Sequence, residues 1–253
     1  MTTLVLKIIA YLSMLIDHTA VSLWISGNMH GMYTLYRVMR GIGRIAFPIF
    51  CFQLVQGAMY TKSKGRYLLR MVIFALISEV PFDLALTGKL WDPTGQNVFF
   101  TLALGLPVIY VIQWGSRLPG KKALLGWLLS GLTAFACGFI AEKWLLTDYG
   151  WAGVFMIAVM GILAAPMEKV RFLVRSEQFF QMFVSAFGIA VCILLTNSLE
   201  SLALLALIPI YFYNGKQGIP SRTVRTALYL FYPMHLLLLG LIFIWPLVKG
   251  RYL

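Results

Sequence analysis

Asp17 and His18 stand side by side in an apolar stretch, LKIIAYLSMLIDHTAVSLW, and Arg44, Glu79 and Asp83 interrupt two further apolar stretches. A histidine with a carboxylate and an arginine in reach can serve general-base group transfer or a proton relay. Adjacent helical residues point about 100° apart, so Asp17 and His18 do not pair with each other. Asp17 is expected to orient another polar group or a water while His18 faces a cavity. Glu79 and Asp83 are four apart on one face and repel unless a cation such as Arg44 sits between them. The same trio would also serve as a structural ion pair that glues helices together. His235 lies in LYLFYPMHLLLL with Tyr232 one turn before it, and Pro233 frees a backbone carbonyl that either side chain can satisfy. Gln53 and Gln56 are expected to hydrogen-bond neighbouring helices, and Asn97, after Gln96, to cap a helix start.

The elements that must position these groups follow from composition. Of 253 residues 60% are hydrophobic and 12% charged, against roughly 45–50% and about 25% in a soluble domain. Mean hydropathy is +0.82, which leaves too little polar surface to coat a water-soluble globule. Lipid offers the backbone no hydrogen-bond partners, so apolar runs of about 20 residues read as helices. Cutting at polar and Pro/Gly clusters gives nine, near 4–26, 41–60, 67–87, 98–114, 122–141, 149–166, 179–196, 199–213 and 226–246. The expected fold is all-α, a polytopic transmembrane helix bundle forming a single domain over 1–253. The first run has no basic leader or small-residue cleavage site and is expected to stay as a span.

The net charge of +12 maps onto this topology rather than onto nucleic acid. Alternate sides of the nine spans hold 14 and 7 of the 21 Lys and Arg residues. The positive-inside rule then puts the N-terminus in the cytoplasm and the C-terminus outside, in a cell (inner) membrane. At 1.5 Å per residue His18 lies about two-thirds of the way across, and Asp17, Arg44, Glu79 and Asp83 fall in the same outer layer. Cys51, Cys137 and Cys192 form no metal-binding spacing. There is no Walker loop, G-x-S-x-G or H-E-x-x-H, so no metal is expected. The basic loop from Asn214 through Lys216, Arg222 and Arg225 suits the phosphates of a nucleotide-like donor, although topology explains it equally well.

The segments LKIIAYLSMLIDH, GRIAFPIFCFQLVQG, YLLRMVIFALISEVPFDL with QNVFFTLALG, and YNGKQG with YLFYPMHLLLL, in that order, resemble the TraX family. The resemblance implies an integral membrane acetylase that moves acetyl from acetyl-CoA to the N-terminal amine of pilin or to a similar acceptor. It marks Asp17-His18, Arg44, Glu79, Asp83, Gln96-Asn97, Tyr232 and His235 as the characteristic polar positions. A distant similarity to membrane acyltransferases with a base histidine in an early helix implies His18 as base and Arg44 as an oxyanion donor. His235 is then a donor ligand or the alternative base. Two other readings use the same residues: a proton-coupled transporter, or a non-enzymatic subunit that binds a pilin-like helix against GLTAFACG.

Overall fold

The computed structural model describes residues 1–165, 176–218 and 221–249, and among them every regular element is a helix. In chain order these are α1 (Thr3–Ile25), α2 (Tyr33–Gly43), α3 (Ala46–Tyr60), α4 (Lys64–Thr87), α5 (Val98–Gly115), α6 (Lys122–Phe139), α7 (Gly150–Ala164), α8 (Glu177–Leu195), α9 (Leu207–Tyr211), α10 (Arg222–Leu239) and α11 (Trp245–Val248). A π-turn, Ile140–Trp144, continues α6, a second, Gly240–Ile244, joins α10 to α11, and a 3-10 helix, Ser198–Ala206, precedes α9.

Helix starts follow capping chemistry. The side chains of Thr2, Asn97, Ser176 and Ser221 accept a backbone N–H from the first turns of α1, α5, α8 and α10. The chain turns out of α4 at Gly88, whose φ of 73° favours glycine. Pro48 explains the break between α2 and α3. It has no N–H for the Arg44 carbonyl, and there the backbone tightens into three-residue turns from Arg44 to Gly41 and from Ile45 to Ile42. The second long apolar helix thus starts at Tyr33 rather than near residue 41, a start the sequence hides because Arg37 and Arg40 interrupt α2 and leave it no apolar run.

Among the described residues six helices are long and apolar enough to cross a membrane: Thr3–Ile25, Tyr33–Tyr60, Val98–Gly115, Lys122–Trp144, Glu177–Leu195 and Thr223–Val248. The chain is a multi-pass membrane protein. Of the other expected spans, Gly150–Ala164 and Leu199–Tyr211 are apolar but shorter. The 24-residue α4 is long enough but carries Lys64, Arg66, Arg70, Glu79 and Asp83. Large apolar side chains face outward in rows, as Leu124, Leu128 and Leu132 do one turn apart on α6 at 62–66% exposure. Such a row is stable against lipid tails and costly against water.

α1, α4 and α10 pack together in parallel. Near their starts Lys7 and Arg70 both approach the Tyr229 ring, and farther along Ser22 Oγ donates to the Ala85 carbonyl at 3.0 Å. α3 runs the other way, so Gln53 meets the Thr3 carbonyl at the end where α1 begins, here the near end, while Arg44 lies at the far end.

Candidate functional site

Near the far end the two membrane histidines meet. His18 Nδ1 lies 2.8 Å from His235 Nε2, and the rings are stacked within 6° of parallel. His235 Nδ1 lies 2.8 Å from the Phe231 carbonyl, which can only accept, so this nitrogen carries the hydrogen. For neutral rings, His235 Nε2 is then an acceptor and His18 Nδ1 must donate to it. The order is fixed as carbonyl, His235, His18, with the lone pair left on His18 Nε2. No described residue hydrogen-bonds that atom. Both rings are buried, and Tyr232 stands edge-on to each, with centroids 6.1 and 5.6 Å away. Pro233 removes the N–H due to the Tyr229 carbonyl; the His235 side chain goes instead to Phe231, two residues on.

Asp17 points the other way, as the 100° offset requires. It receives Arg40 Nη1 at 2.5 Å and Arg44 Nη2 at 3.0 Å, and Arg44 Nη1 continues to Glu200 at 2.8 Å. Arg40 and Arg44 are one turn apart on the same side of the chain, which is why one carboxylate can hold both. Gly43 makes room for this: a Cβ there would collide with the Asp17 side chain. Arg44 therefore does not separate Glu79 from Asp83. Those two tie down the start of α5 and the loop before it. Asn97 Nδ2 donates to Glu79 and to the Ala75 carbonyl, and Asp83 accepts the Asp92 amide at 2.7 Å. Asn97 also caps α5, as expected.

Arg40 and Glu200 were not among the sequence candidates. Arg40 carries a signal, its i, i+4 spacing to Arg44, whereas Glu200 sits in a short 3-10 turn with no periodicity to mark it. Gln96 contributes its backbone: its N–H goes to the Leu146 carbonyl and its C=O takes the Asp148 N–H, pinning the loop before α7 to α5. In that loop desolvation by the neighbouring chain pushes the Asp148 carboxyl up to about 6 although the residue reaches solvent, with Arg44 and Arg40 opposing and Asp17 and Glu200 adding repulsion. The loop residue Asp92 is held down at about 2 by the Thr94 hydroxyl and Lys89.

A cavity of about 600 Å³ runs from the near end to this layer. Lys7, Arg70 and Arg225 line it along with Gly215 and Gln217, and Val98, Phe99 and Tyr232 line its far end; His18, expected to face a cavity, is not among the lining residues, nor is His235, and both adjoin it through Tyr232. Tyr232 is the wall shared by cavity and histidine pair. Gln53 and Gln56 both line the cavity, and Gln53 Oε1 is buried there without a hydrogen-bond partner. Of the three basic residues expected near a donor, Arg225 lines the cavity. Lys216 is exposed, and its carbonyl accepts the Thr3 N–H at 2.8 Å. Arg222 opens α10, and its side chain lies outside the described residues.

Fold and site together define a polytopic helical membrane protein whose inner cavity reaches Tyr232, and Tyr232 in turn packs against a hydrogen-bonded histidine pair. The TraX protein family model matches residues 3–243, and the chain belongs to that family. It is 28% identical over 261 residues, 92% of each chain, to the probable fimbrial assembly protein FimC, serogroup H1, of Dichelobacter nodosus. It is also 29% identical over 161 residues to an uncharacterized protein of Rickettsia prowazekii (strain Madrid E), covering 63% of this chain and 54% of that one. No solved structure matches.

Proposed function

We propose that this protein is a membrane acetyltransferase that takes acetyl from acetyl-CoA and gives it to an amine, such as a pilin-like N-terminus, or to a hydroxyl, with His18 as general base. The observation that carries the reading is the histidine pair behind Tyr232, which lines the far end of the cavity, ordered so that His18 Nε2 holds the free lone pair. The cavity suits the thioester arm: its length faces Gln53 Oε1, a buried acceptor without a partner that an amide N–H of the arm would satisfy. The relative whose name concerns fimbrial assembly supports a pilin-like acceptor.

In this reading His18 Nε2 takes the proton that the acceptor loses as its nitrogen or oxygen bonds to the acetyl carbon. It returns that proton to sulfur as the C–S bond breaks. Tyr232 O–H donates to the carbonyl oxygen while that oxygen carries negative charge. Arg44 is less suited to that task than its sequence position implied, since both terminal nitrogens are engaged and its Nε is buried. Asp17 fixes α1 against α2 and thereby aims His18. His235 holds the tautomer and is a positioning residue rather than the base.

The reading includes nine crossings of a cell membrane with the N-terminus in the cytoplasm, supported by the 14-to-7 distribution of basic residues. The test is acetyl transfer from labelled acetyl-CoA by purified protein in detergent. His18→Ala should lose transfer while keeping its thermal unfolding profile. Transfer retained by that variant would move the base to His235, and no transfer by the wild type to any amine would favour transport.

A further inference from the structure

Three cations converge on the near end of the cavity from three helices: Lys7 of α1, Arg70 of α4 and Arg225 of α10. Lys7 Nζ lies 5.5 Å and Arg70 Cζ 5.9 Å from the centroid of the Tyr229 ring, and Arg225 is one turn before Tyr229 on the same helix. No Asp or Glu lines the cavity, and none of the three enters an ion pair among the described residues. Topology accounts for basic residues at a membrane surface, where bulk water and headgroups neutralise them. It does not account for three that line one cavity from three helices, two of them over the same Tyr229 ring, where their mutual repulsion is relieved by an anion. Arginines and a lysine around a concave surface are matched to phosphate oxygens, which accept several charge-assisted hydrogen bonds at once.

Spacing adds a second constraint. Lys7 and His18 are eleven residues apart, which at 3.6 residues per turn returns to nearly the same face of α1, roughly 16 Å along it. Tyr11, which also lines the cavity, lies between them, its hydroxyl donating to the Leu228 carbonyl of α10 at 2.5 Å. An anion held at Lys7 thus sits at one end of a path along α1 whose other end is Tyr232, which adjoins the histidine pair. The distance is close to the reach of an extended phosphopantetheine arm.

We propose that Lys7, Arg70 and Arg225 form the phosphate site of a nucleotide-type acyl donor, with the donor's linear arm lying along α1 toward His18. The donor's identity rests on the acetyltransferase reading; the phosphate chemistry does not. The site replaces the exposed loop around Lys216 as the anchor and predicts that the phosphates, rather than the acyl group, supply most of the binding energy.

The test uses the full chain in detergent and follows thermal unfolding with coenzyme A, pantetheine and phosphatidylglycerol as separate probes. Coenzyme A should stabilise saturably and pantetheine should not. Arg70→Gln and Lys7→Gln should each weaken coenzyme A binding about tenfold or more, the size expected for one charge-assisted contact. Arg225→Gln, at an exposed helix start, provides a variant with little bearing on folding and should do the same, while the exposed Lys143→Gln should have no effect. Coenzyme A binding unchanged in all three cavity variants would overturn the site. Stabilisation by phosphatidylglycerol but not by coenzyme A, lost in the same variants, would overturn it in favour of a lipid headgroup site. His18→Ala should retain the coenzyme A shift. If the wild type binds coenzyme A through these cations yet transfers no acetyl, the anion site stands and the acetyltransferase reading fails.

Discussion

The arginines at the two ends of the bundle are held in opposite ways. At the far end Arg40 and Arg44 are locked by Asp17 and Glu200, with every close contact a charge pair between helices. At the near end Lys7 and Arg70 lie over tyrosine rings and Arg225 lines the same cavity, and none of the three enters an ion pair among the described residues. The same residue type therefore does two jobs. Where a carboxylate saturates the guanidinium, the pair fixes helix geometry; where none is present, the cation is left for a ligand. Paired charges should thus be expensive to break and of little direct consequence for binding, and unpaired charges the reverse.

The largest effect on stability should come from splitting the paired end. Asp17→Ala leaves Arg40 and Arg44 facing each other with little access to water, and should cost about 3–5 kcal/mol in a denaturant titration of the detergent-solubilised protein. A loss under 1 kcal/mol would show that the far-end network is not what fixes α2 against α1. Gly43→Ala is the milder version, since its Cβ meets Asp17 rather than deleting it. A cost of about 1–3 kcal/mol is expected, with part of the transfer activity lost as α1 shifts. At the unpaired end Arg70→Gln should change stability by no more than about 0.5 kcal/mol while removing most coenzyme A stabilisation. A strongly destabilised Arg70→Gln protein would erase the distinction between the two ends.

The smallest effect concerns pH. The Asp148 carboxyl titrates at about 6 in the folded chain against an ordinary 3.8, so the folded state holds that proton more tightly. Its contribution to stability is full below about pH 4 and is lost as pH rises through 6. Because Asp148 reaches solvent, which screens much of this effect, Asp148→Asn should flatten this part of the profile by no more than about 1 °C in Tm between pH 4 and 7. Parallel profiles would place Asp148 in an ordinary solvated setting.

Much of this contrast was legible in the sequence. Apolar runs located most helices, because lipid exposure leaves them hydrophobic nearly all round. Rise per residue placed Asp17, His18 and Arg44 in one layer before any contact was known. The pairings were not legible, because depth says nothing about which helices are neighbours around the bundle. Arg44 reached Asp17 and Glu200 rather than Glu79 and Asp83 because Pro48 breaks the helix beside it and the 3-10 turn brings Glu200 in from far along the chain. His18 and His235 are 217 positions apart, and only the parallel packing of α1 and α10 joins them. Lys7, Arg70 and Arg225 read in the sequence as charges on one side of the bundle, and the structure brings them to one cavity; whether a given lysine turns inward depends on helix rotation, which Lys7 reveals only beside Tyr229.

The central claim is that His18 Nε2 is the base at the end of a donor cavity. Single-turnover acetyl transfer from labelled acetyl-CoA to a peptide amine, run beside coenzyme A binding, tests it most directly. His18→Ala should bind coenzyme A as the wild type does and transfer nothing, while His235→Gln, which keeps an acceptor for His18 Nδ1, should retain measurable transfer. Transfer by His18→Ala at the wild-type rate, or its survival there together with complete loss in His235→Gln, would contradict the account.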